Sequence, residues 1–240
     1  LTALLRAIDG RPVEAILVTH THLDHTGLTD DLRSATGAPV LAEGRHRMSR
    51  PLRLGETNPL DAAADHGFSP DRIVQDGEMI VARAGPLQAV STPGHTANHM
   101  SYALDAEGIL FSGDHVMAWS TSIVAPPDGR MADFMQSLDK LLTRNDRRYL
   151  PGHGGPVEQP GRFVRALRAH RKMREQAILE RLRAGDRTIA DLVASIYRTT
   201  PVALHGAAGL SVLAHLEDLV ERNIVTTTDG IVLHGRFIPV

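Results

Sequence analysis

Short hydrophobic runs alternate with glycine, proline and polar turn residues along this chain, and they predict short strands connected by helices. Residues 13–18 are dense in aliphatic side chains and fit a buried strand. Residues 28–36 have helical spacing with Gly37 as the C-terminal stop, and residues 39–42 fit another strand. This part of the chain is therefore predicted as strand, polar turn, helix and strand.

The middle of the chain predicts more strands and one long irregular segment. That segment, residues 43–71, is called the excursion below, because Gly, Pro, Asn and Arg occur there with little periodicity. A helix is predicted over residues 131–143, and residues 149–151 are predicted as a strand end that leads into residues 152–155. The other predicted strands cover residues 72–75, 79–82, 86–92, 100–104 and 109–112.

The C-terminal third has a different character. Residues 160–187 carry nine Lys or Arg against three Asp or Glu and predict a basic amphipathic helix. Its charge fits either a solvated face that helps connect two domains or a surface that attracts substrate. Residues 188–223 predict two or three short helices, and residues 224–233 predict a two-stranded ribbon that turns at Asp229-Gly230. Helices followed by a ribbon are the order of a winged helix.

Composition limits the possible classes of protein. A chain of 240 residues with 42% hydrophobic residues has room for one large domain, alone or with a small one. No run of about 18 uncharged apolar residues is present to cross a bilayer. Residues 1–10 predict a helix end and not a signal peptide, so we expect a cytoplasmic protein. The net charge of −2 argues against whole-surface attraction to nucleic acid.

Metal ligands are concentrated in the turn after the first predicted strand. Because the chain has no cysteine, a metal must be held by His, Asp or Glu. His20 and His22 are two residues apart, so on an extended chain they point the same way and can bind one ion. Asp24 and His25 follow and can face a second ion. Three more candidates each follow a glycine at a predicted strand end, where the backbone can approach closely. They are His95, Asp114 and His153.

The pattern H20-x-H-x-D-H25, followed in order by these three residues, resembles the ligand signature of the metallo-β-lactamase superfamily. The resemblance implies a mixed α/β (α+β) fold, an αβ/βα sandwich with a dinuclear site where strand ends meet. It implies two divalent metal ions, with zinc expected first and iron or manganese as alternatives. The first ion would be held by His20, His22 and His95, the second by Asp24, His25 and His153, and Asp114 would bridge both.

Further segments resemble the β-lactamase-like protein 2 group of that superfamily, including a C-terminal winged-helix-like domain. They are residues 92–100, 112–121, 126–129, 169–176, 204–208 and 211–216. The predicted organisation is a metal-binding catalytic domain over residues 1–159, a basic connecting helix over 160–187 and a winged-helix-like domain over 188–240. Members of the group are described as metal-dependent hydrolases, and some as endoribonucleases on single-stranded RNA.

Two features depart from the superfamily pattern. The main class of true β-lactamases uses a cysteine at the second metal, which this chain lacks, so we do not expect antibiotic hydrolysis. Nineteen residues precede His20, whereas the superfamily normally begins with several strands before that motif. We therefore expect that the N-terminal strands of the sandwich are missing from this sequence.

The leading functional hypothesis is a dinuclear metal-dependent hydrolase that uses a metal-bridging hydroxide on an ester, thioester or phosphodiester. Asp24 and Asp114 are the expected catalytic residues, and Asp24 can accept a hydrogen bond from the attacking water. One alternative is an endoribonuclease on single-stranded RNA within the same fold. Another is a non-catalytic, ligand-sensing regulator that binds nucleic acid. Salt dependence separates a polyanionic substrate from a small ester.

The expected partner is a small-molecule or RNA substrate. Residues 204–223 carry Arg222 as the one clear cation against three acids, so the tail predicts no specific DNA binding. We interpret it as a wall of the substrate site or as an element of a homodimer, and we expect no membrane partner.

Four other histidines receive separate predictions. His99, four residues after His95, is a candidate for a contact with a ligand or substrate. His170, beside Arg171 and near Arg174, is a candidate for binding an anionic substrate. His46 in the excursion is expected to be solvated, and His115 is expected to point away from the site.

Ligand histidines must be neutral to bind a metal, so protonation should compete with the ion. We predict that activity falls as the pH drops below about 6, near the unperturbed histidine pKa. A pH–rate profile with parallel metal analysis measures this effect. Full activity and full metal occupancy down to about pH 4 would contradict the prediction.

Overall fold

The described residues, 1–83 and 85–240 of a computed structural model, form ten strands and seven α-helices. The strands are β1 Ile16–Leu17, β2 Val40–Ala42, β3 Arg72–Ile73, β4 Met79–Ile80, β5 Leu87–Ser91, β6 Met100–Leu104, β7 Ile109–Gly113, β8 Arg148–Pro151, β9 Val225–Thr227 and β10 Phe237–Pro239. The helices are α1 Thr2–Ile8, α2 Leu23–Thr26, α3 Thr29–Thr36, α4 Met131–Leu142, α5 Pro160–Ala184, α6 Ile189–Ile196 and α7 His205–Glu221. Single 3₁₀ turns cover Asp61–Ala63, Asp105–Glu107 and Val202–Leu204.

Two sheets pack against each other. The smaller one has the order β1-β2-β3 and is parallel, and the larger has the order β4-β5-β6-β7-β8, antiparallel except for β8 beside β7. Leu41 of β2 shares one apolar cluster with Ala89 of β5 and Tyr102 of β6. The Tyr102 hydroxyl also donates a hydrogen bond to the Val18 carbonyl at 2.9 Å, which ties the end of β1 to the larger sheet. This is the two-sheet sandwich that the resemblance implied.

Helix α5 belongs to two hydrophobic cores. Its first half, through Val164 and Leu167, packs with α4 on the larger sheet. Its second half, through Ile178 and Leu182, packs with α6, α7 and Phe237 of β10. The basic helix therefore connects two packed bodies, while the domain bounds given above stay predictions. No helix in the described parts of the chain combines the length and apolar character needed to cross a membrane.

The C-terminal body differs from its prediction at two places. Short helices were predicted over residues 188–223, but α7 is one long helix over His205–Glu221. The return strand of the ribbon is β10 at Phe237–Pro239, so a return strand at residues 231–233 was wrong. Phe237 is fully buried in the second core, and burying this aromatic ring outweighs pairing the nearer aliphatic run.

The excursion is irregular apart from its 3₁₀ turn, as predicted, but it is anchored at its middle. Glu217 of α7 is buried and pairs with Arg50 and Arg53 from the excursion. Arg50 also forms a bidentate pair with Glu56, which keeps the excursion folded on itself. The long loop is therefore fastened to the C-terminal body by charge.

Removing the charge of Glu217 should loosen this connection. Glu217→Gln is expected to lower the free energy of unfolding by about 2–3 kcal/mol, because it leaves half-buried Arg53 without its carboxylate partner and Arg50 with Glu56 alone. The matched control is Glu221→Gln, one turn along α7, whose pair with Arg130 is more than a third exposed. It should change the unfolding free energy by about 0.5 kcal/mol or less in urea titrations. Equal losses in the two variants would contradict this role of Glu217.

Candidate metal centre

Strand ends from both sheets meet at one rim of the sandwich. The turn after β1 carries His20 and His22, and α2 continues it with Asp24 and His25. The other three candidate ligands follow strands of the larger sheet: His95 after β5, Asp114 after β7 and His153 after β8. Met100 at the start of β6 donates its backbone N–H to the Thr19 carbonyl at 2.7 Å, which joins the ligand turn to the larger sheet. The structure brings all seven predicted side chains together.

Three histidines form a buried group. His22 Nδ1 lies 3.0 Å from His20 Nε2 and 3.1 Å from His95 Nε2. The three rings are at most 7% exposed, so little water reaches them. Three ring nitrogens that face one point can bind a single ion.

A second group of three side chains opens toward solvent. His153 Nε2 lies 3.0 Å from Asp24 Oδ2, and His25 Nε2 lies 3.6 Å from the same oxygen. The side chain of Asp24 is 58% exposed, in contrast to the buried histidine group. The second group therefore forms the solvent-facing side of the site.

Asp114 lies between the two groups. Its Oδ1 is 3.4 Å from His25 Nε2, and its Oδ2 is 3.4 Å from His153 Nε2 and 3.9 Å from His95 Nε2. One carboxylate thus contacts residues of both groups, which is the placement expected of a bridging ligand.

Burial keeps the first group neutral. Burial and the neighbouring histidines hold the pKa of His20 well below its usual value and lower that of His22 to about 4. Burial also lowers the pKa of His95. Neutral imidazoles have a free lone pair at pH 7, so this group is prepared to bind a cation.

Asp114, the carboxylate between the two groups, keeps its charge although it is buried. Burial would raise the pKa of Asp114, but contact with His25 and the charges of His25, His95 and His153 outweigh it and lower the pKa. Burial would lower the pKa of His25, but Asp114 and Asp24 outweigh it and raise the pKa. Asp114 is therefore ionised, and His25 is a group that acid protonates early.

Hydrogen bonds fix which ring nitrogens are free. His95 Nδ1 donates to the Ile123 carbonyl at 2.7 Å, which leaves Nε2 unprotonated and facing the site. His99 Nε2 accepts the backbone N–H of Asp114 at 3.0 Å, so its Nδ1 carries the hydrogen and donates to the Thr92 hydroxyl at 2.9 Å. His99 is fully buried and positions the Asp114 loop.

Two of the glycines that precede candidate ligands lie where a side chain would not fit. A Cβ on Gly94, where φ is +134°, would lie 2.3 Å from the Cα of Phe134 in α4. A Cβ on Gly152 would lie 2.5 Å from Asp114 Oδ1 and 2.7 Å from His25 Cε1. Any side chain at Gly152 would therefore displace candidate ligands.

The donor set fits divalent metal ions. Ligand atoms about 2.0–2.1 Å from a tetrahedral zinc ion are about 3.4 Å apart, close to the separations within each group. Within the described residues, His25 Nε2 and Asp114 Oδ1 are buried without hydrogen-bond partners, and a cation would satisfy both. The assignment of these side chains as ligands nevertheless stays a prediction.

The sequence missed a supporting pair from the excursion and the segment before α4. His46 was expected to be solvated, which was wrong, because its side chain is 5% exposed. His46 Nδ1 lies 3.2 Å from the Thr21 hydroxyl, and its Nε2 lies 3.6 Å from Asp128. Asp128 is fully buried and accepts a hydrogen bond from Asn58. In the sequence, Asp128 is marked only as an acid between a proline and a glycine in residues 126–129.

His115 and His170 lie apart from the seven side chains. His115 points into the core and packs on Phe134, with 4.4 Å between ring centroids. His170 lies on α5 and accepts a hydrogen bond from Arg174 at 2.9 Å.

Comparisons with known proteins agree with this geometry. Residues 2–153 match the model of the Metallo-beta-lactamase superfamily, and residues 188–232 match the Beta-lactamase associated winged helix domain. The chain is 32% identical over 214 residues to a Beta-lactamase-like protein 2 homolog of Drosophila melanogaster, covering 86% of this chain and 68% of that protein.

Two further similarities concern function and fold. The chain is 30% identical over 185 residues to the Atrochrysone carboxyl ACP thioesterase of Aspergillus fumigatus, covering 75% of this chain and 51% of that protein. The crystal structure of a metallo-beta-lactamase family protein from Thermus thermophilus superposes with a TM-score of 0.73 at 25% identity. That match covers 95% of this chain and 80% of the other.

The pKa directions predict an ordered loss of metal in acid. Since the pKa of His25 is raised and those of His20, His22 and His95 are lowered, protonation should first displace the ion of the second group. We expect about two ions per chain at pH 7.5 and about one near pH 5.5, measured by elemental analysis after dialysis. His66→Ala, outside the site, should match the parent. Simultaneous loss of both ions would contradict this order.

Proposed function

Because this chain belongs to the metallo-β-lactamase superfamily, we propose that it is a dinuclear metal-dependent hydrolase that cleaves carboxylic thioesters or esters. The observation that carries the proposal is the position of Asp114, which contacts the buried histidine group and the solvent-facing group at once. A single-metal site would need no carboxylate between two such groups. Nitrogen and carboxylate donors without thiolate favour zinc, with iron or manganese as alternatives.

The side chains divide the work of the reaction. Two bound divalent ions would activate water and polarise the scissile carbonyl. Asp114 holds both ligand groups in register, because His99 fixes its backbone and His25 contacts its carboxylate. Asp24, on the exposed side, accepts a proton from the attacking water. Water adds to the carbonyl carbon, the C–S or C–O bond breaks, and the proton returns to the leaving thiolate or alkoxide.

A thioester or ester substrate is supported by two observations. A relative that is 30% identical carries the name of a thioesterase, and it aligns over 75% of this chain. The formal net charge of −2 also suits a small acyl substrate better than a long polyanion. The winged-helix-like body then serves as a wall of the substrate site.

An endoribonuclease is the second candidate, because α5 exposes several cations. Arg162, Arg165 and Lys172 are exposed along this helix. Other cations of α5 are already paired, Arg168 with Asp139 and Arg181 with Asp186. Because part of the positive charge of α5 is already paired, we propose RNA as the second candidate substrate, after the thioester.

A nucleic-acid-binding regulator receives less support. Ten residues of α7 are buried, so this helix has little free surface for base edges. Asp218 and Glu175 also surround Arg222, the one clear cation of the tail. The proposal therefore includes no specific DNA binding.

Asp114→Asn tests the proposed chemistry. We expect kcat/KM for a thioester to fall at least about a thousandfold, because the carboxylate between the two groups is lost. Chelation should cause a similar loss that added zinc reverses. Asp139→Asn removes an exposed carboxylate from α4 and serves as the matched control.

The same assays decide between the substrates. Thioester or ester turnover that changes little between about 50 and 200 mM salt supports the leading proposal, since RNA cleavage should weaken steeply. Hydrolysis that survives both Asp114→Asn and chelation unchanged would overturn the mechanism.

A further inference from the structure

A cavity of about 290 Å³ lies between α5, α7, the segment that follows α6 and the loop of residues 121–123. Its lining includes no acidic residue. The cationic and aromatic polar side chains that bound it are His170, Arg171, Arg174 and Tyr197, and the hydroxyl side chains include Thr200 and Ser211. This cavity is separate from the seven side chains of the metal centre.

Arg171 places a charge at the buried side of this cavity, where its guanidinium lies 5.0 Å from the centre of the Phe134 ring. Arg171 is 4% exposed, and it forms no ion pair among the residues that the structure describes. Its Nη2 donates to the Ser122 carbonyl and its Nη1 to the Ser211 hydroxyl at 3.3 Å, while Nε is buried and has no hydrogen-bond partner in the described structure. A buried cation that lacks an anion is costly, so an anionic ligand would be strongly favoured here.

Two neighbours on α5 add to this charge. The Arg174 guanidinium lies 4.6 Å above the Tyr197 ring and, like Arg171, forms no ion pair within the described chain. Arg174 donates to His170 Nε2 at 2.9 Å, so His170 Nδ1 carries the hydrogen. That Nδ1 is buried and has no acceptor among residues 1–83 and 85–240. Two guanidinium groups and an imidazole therefore present hydrogen-bond donors without an anionic partner.

The cavity shares a wall with the metal centre. Ser122, whose carbonyl accepts from Arg171, donates its hydroxyl to the Asp114 carbonyl. The next residue, Ile123, accepts the hydrogen of His95 Nδ1 and also lines the cavity. A ligand in the cavity is thus one loop away from the reacting group of a substrate at the metals.

We propose that this cavity binds the phosphate group of a small-molecule thioester whose carbonyl lies at the metal centre. The identification of the thioester rests on the proposed function, whereas the anion site rests on the cavity alone. Phosphate has several acceptor oxygens and suits paired guanidinium donors better than a single carboxylate does. The volume is at the small end for ligand sites and fits one phosphate-bearing group better than a nucleic acid strand.

Binding of inorganic phosphate to the chelator-treated protein tests the anion site without any hydrolysis. Calorimetry should show saturable binding for the parent and for Arg183→Gln, which removes an exposed arginine of the same helix. Arg174→Gln should weaken binding at least about tenfold, with folding checked by circular dichroism. Absence of saturable binding, or equal loss in both variants, overturns the site.

Two thioesters that differ only in a terminal phosphate, S-acyl-4′-phosphopantetheine and S-acylpantetheine, test the substrate. With the metal-loaded protein, kcat/KM should favour the phosphorylated compound at least about tenfold, chiefly through KM. Arg174→Gln should abolish most of this preference, and Arg183→Gln should retain it. Equal kcat/KM values for the two compounds in the parent overturn the inference.

Two further results separate the hypotheses. If neither thioester is cleaved, the proposed function fails, and phosphate calorimetry still decides whether the cavity binds anions. If Arg174→Gln weakens binding of a short single-stranded oligoribonucleotide but leaves the preference between the thioesters intact, the cavity serves RNA and the inference is overturned.

Discussion

The mutual approach of five imidazoles and two carboxylates at one rim is the constraint on which this structure depends. Each group is polar, and most of them are withdrawn from water, so each must be neutral, paired or matched to a cation. Burial lowers the pKa of the inner histidines, while Asp114 remains ionised beside His25. This electrostatic balance suits an arrangement in which divalent ions complete the site.

Hydrogen bonds from the surrounding chain hold this arrangement, because each one determines which ring nitrogen donates and which accepts. His99 accepts from the Asp114 backbone and therefore must donate to Thr92. His95 donates to Ile123 and presents its other nitrogen to the site. The excursion contributes His46, which contacts Thr21 between two candidate ligands. The larger sheet, the loop of residues 121–123 and the excursion thus all help to fix the orientation of the imidazole rings at and beside the site.

The two bodies of the chain are coupled through this region. Helix α5 contributes to both cores, and α7 fastens the excursion by Glu217. The loop of residues 121–123 contacts the metal centre on one side and Arg171 on the other. A substrate that spans the metal centre and the proposed anion cavity would therefore contact both bodies.

The sequence by itself determined the local elements and the chemistry of the ligand turn. Period-two and helical patterns located β6, α3 and α4 closely, because such patterns depend on near neighbours. The spacing of His20, His22, Asp24 and His25 similarly needs only a short turn. Only the tertiary structure placed β10 beyond its expected position, buried His46 and left Arg171 without an ion-pair partner in the described part of the chain. These outcomes depend on contacts between residues far apart in the chain, and burial in the folded protein, not residue type, decides the protonation and pairing of such groups.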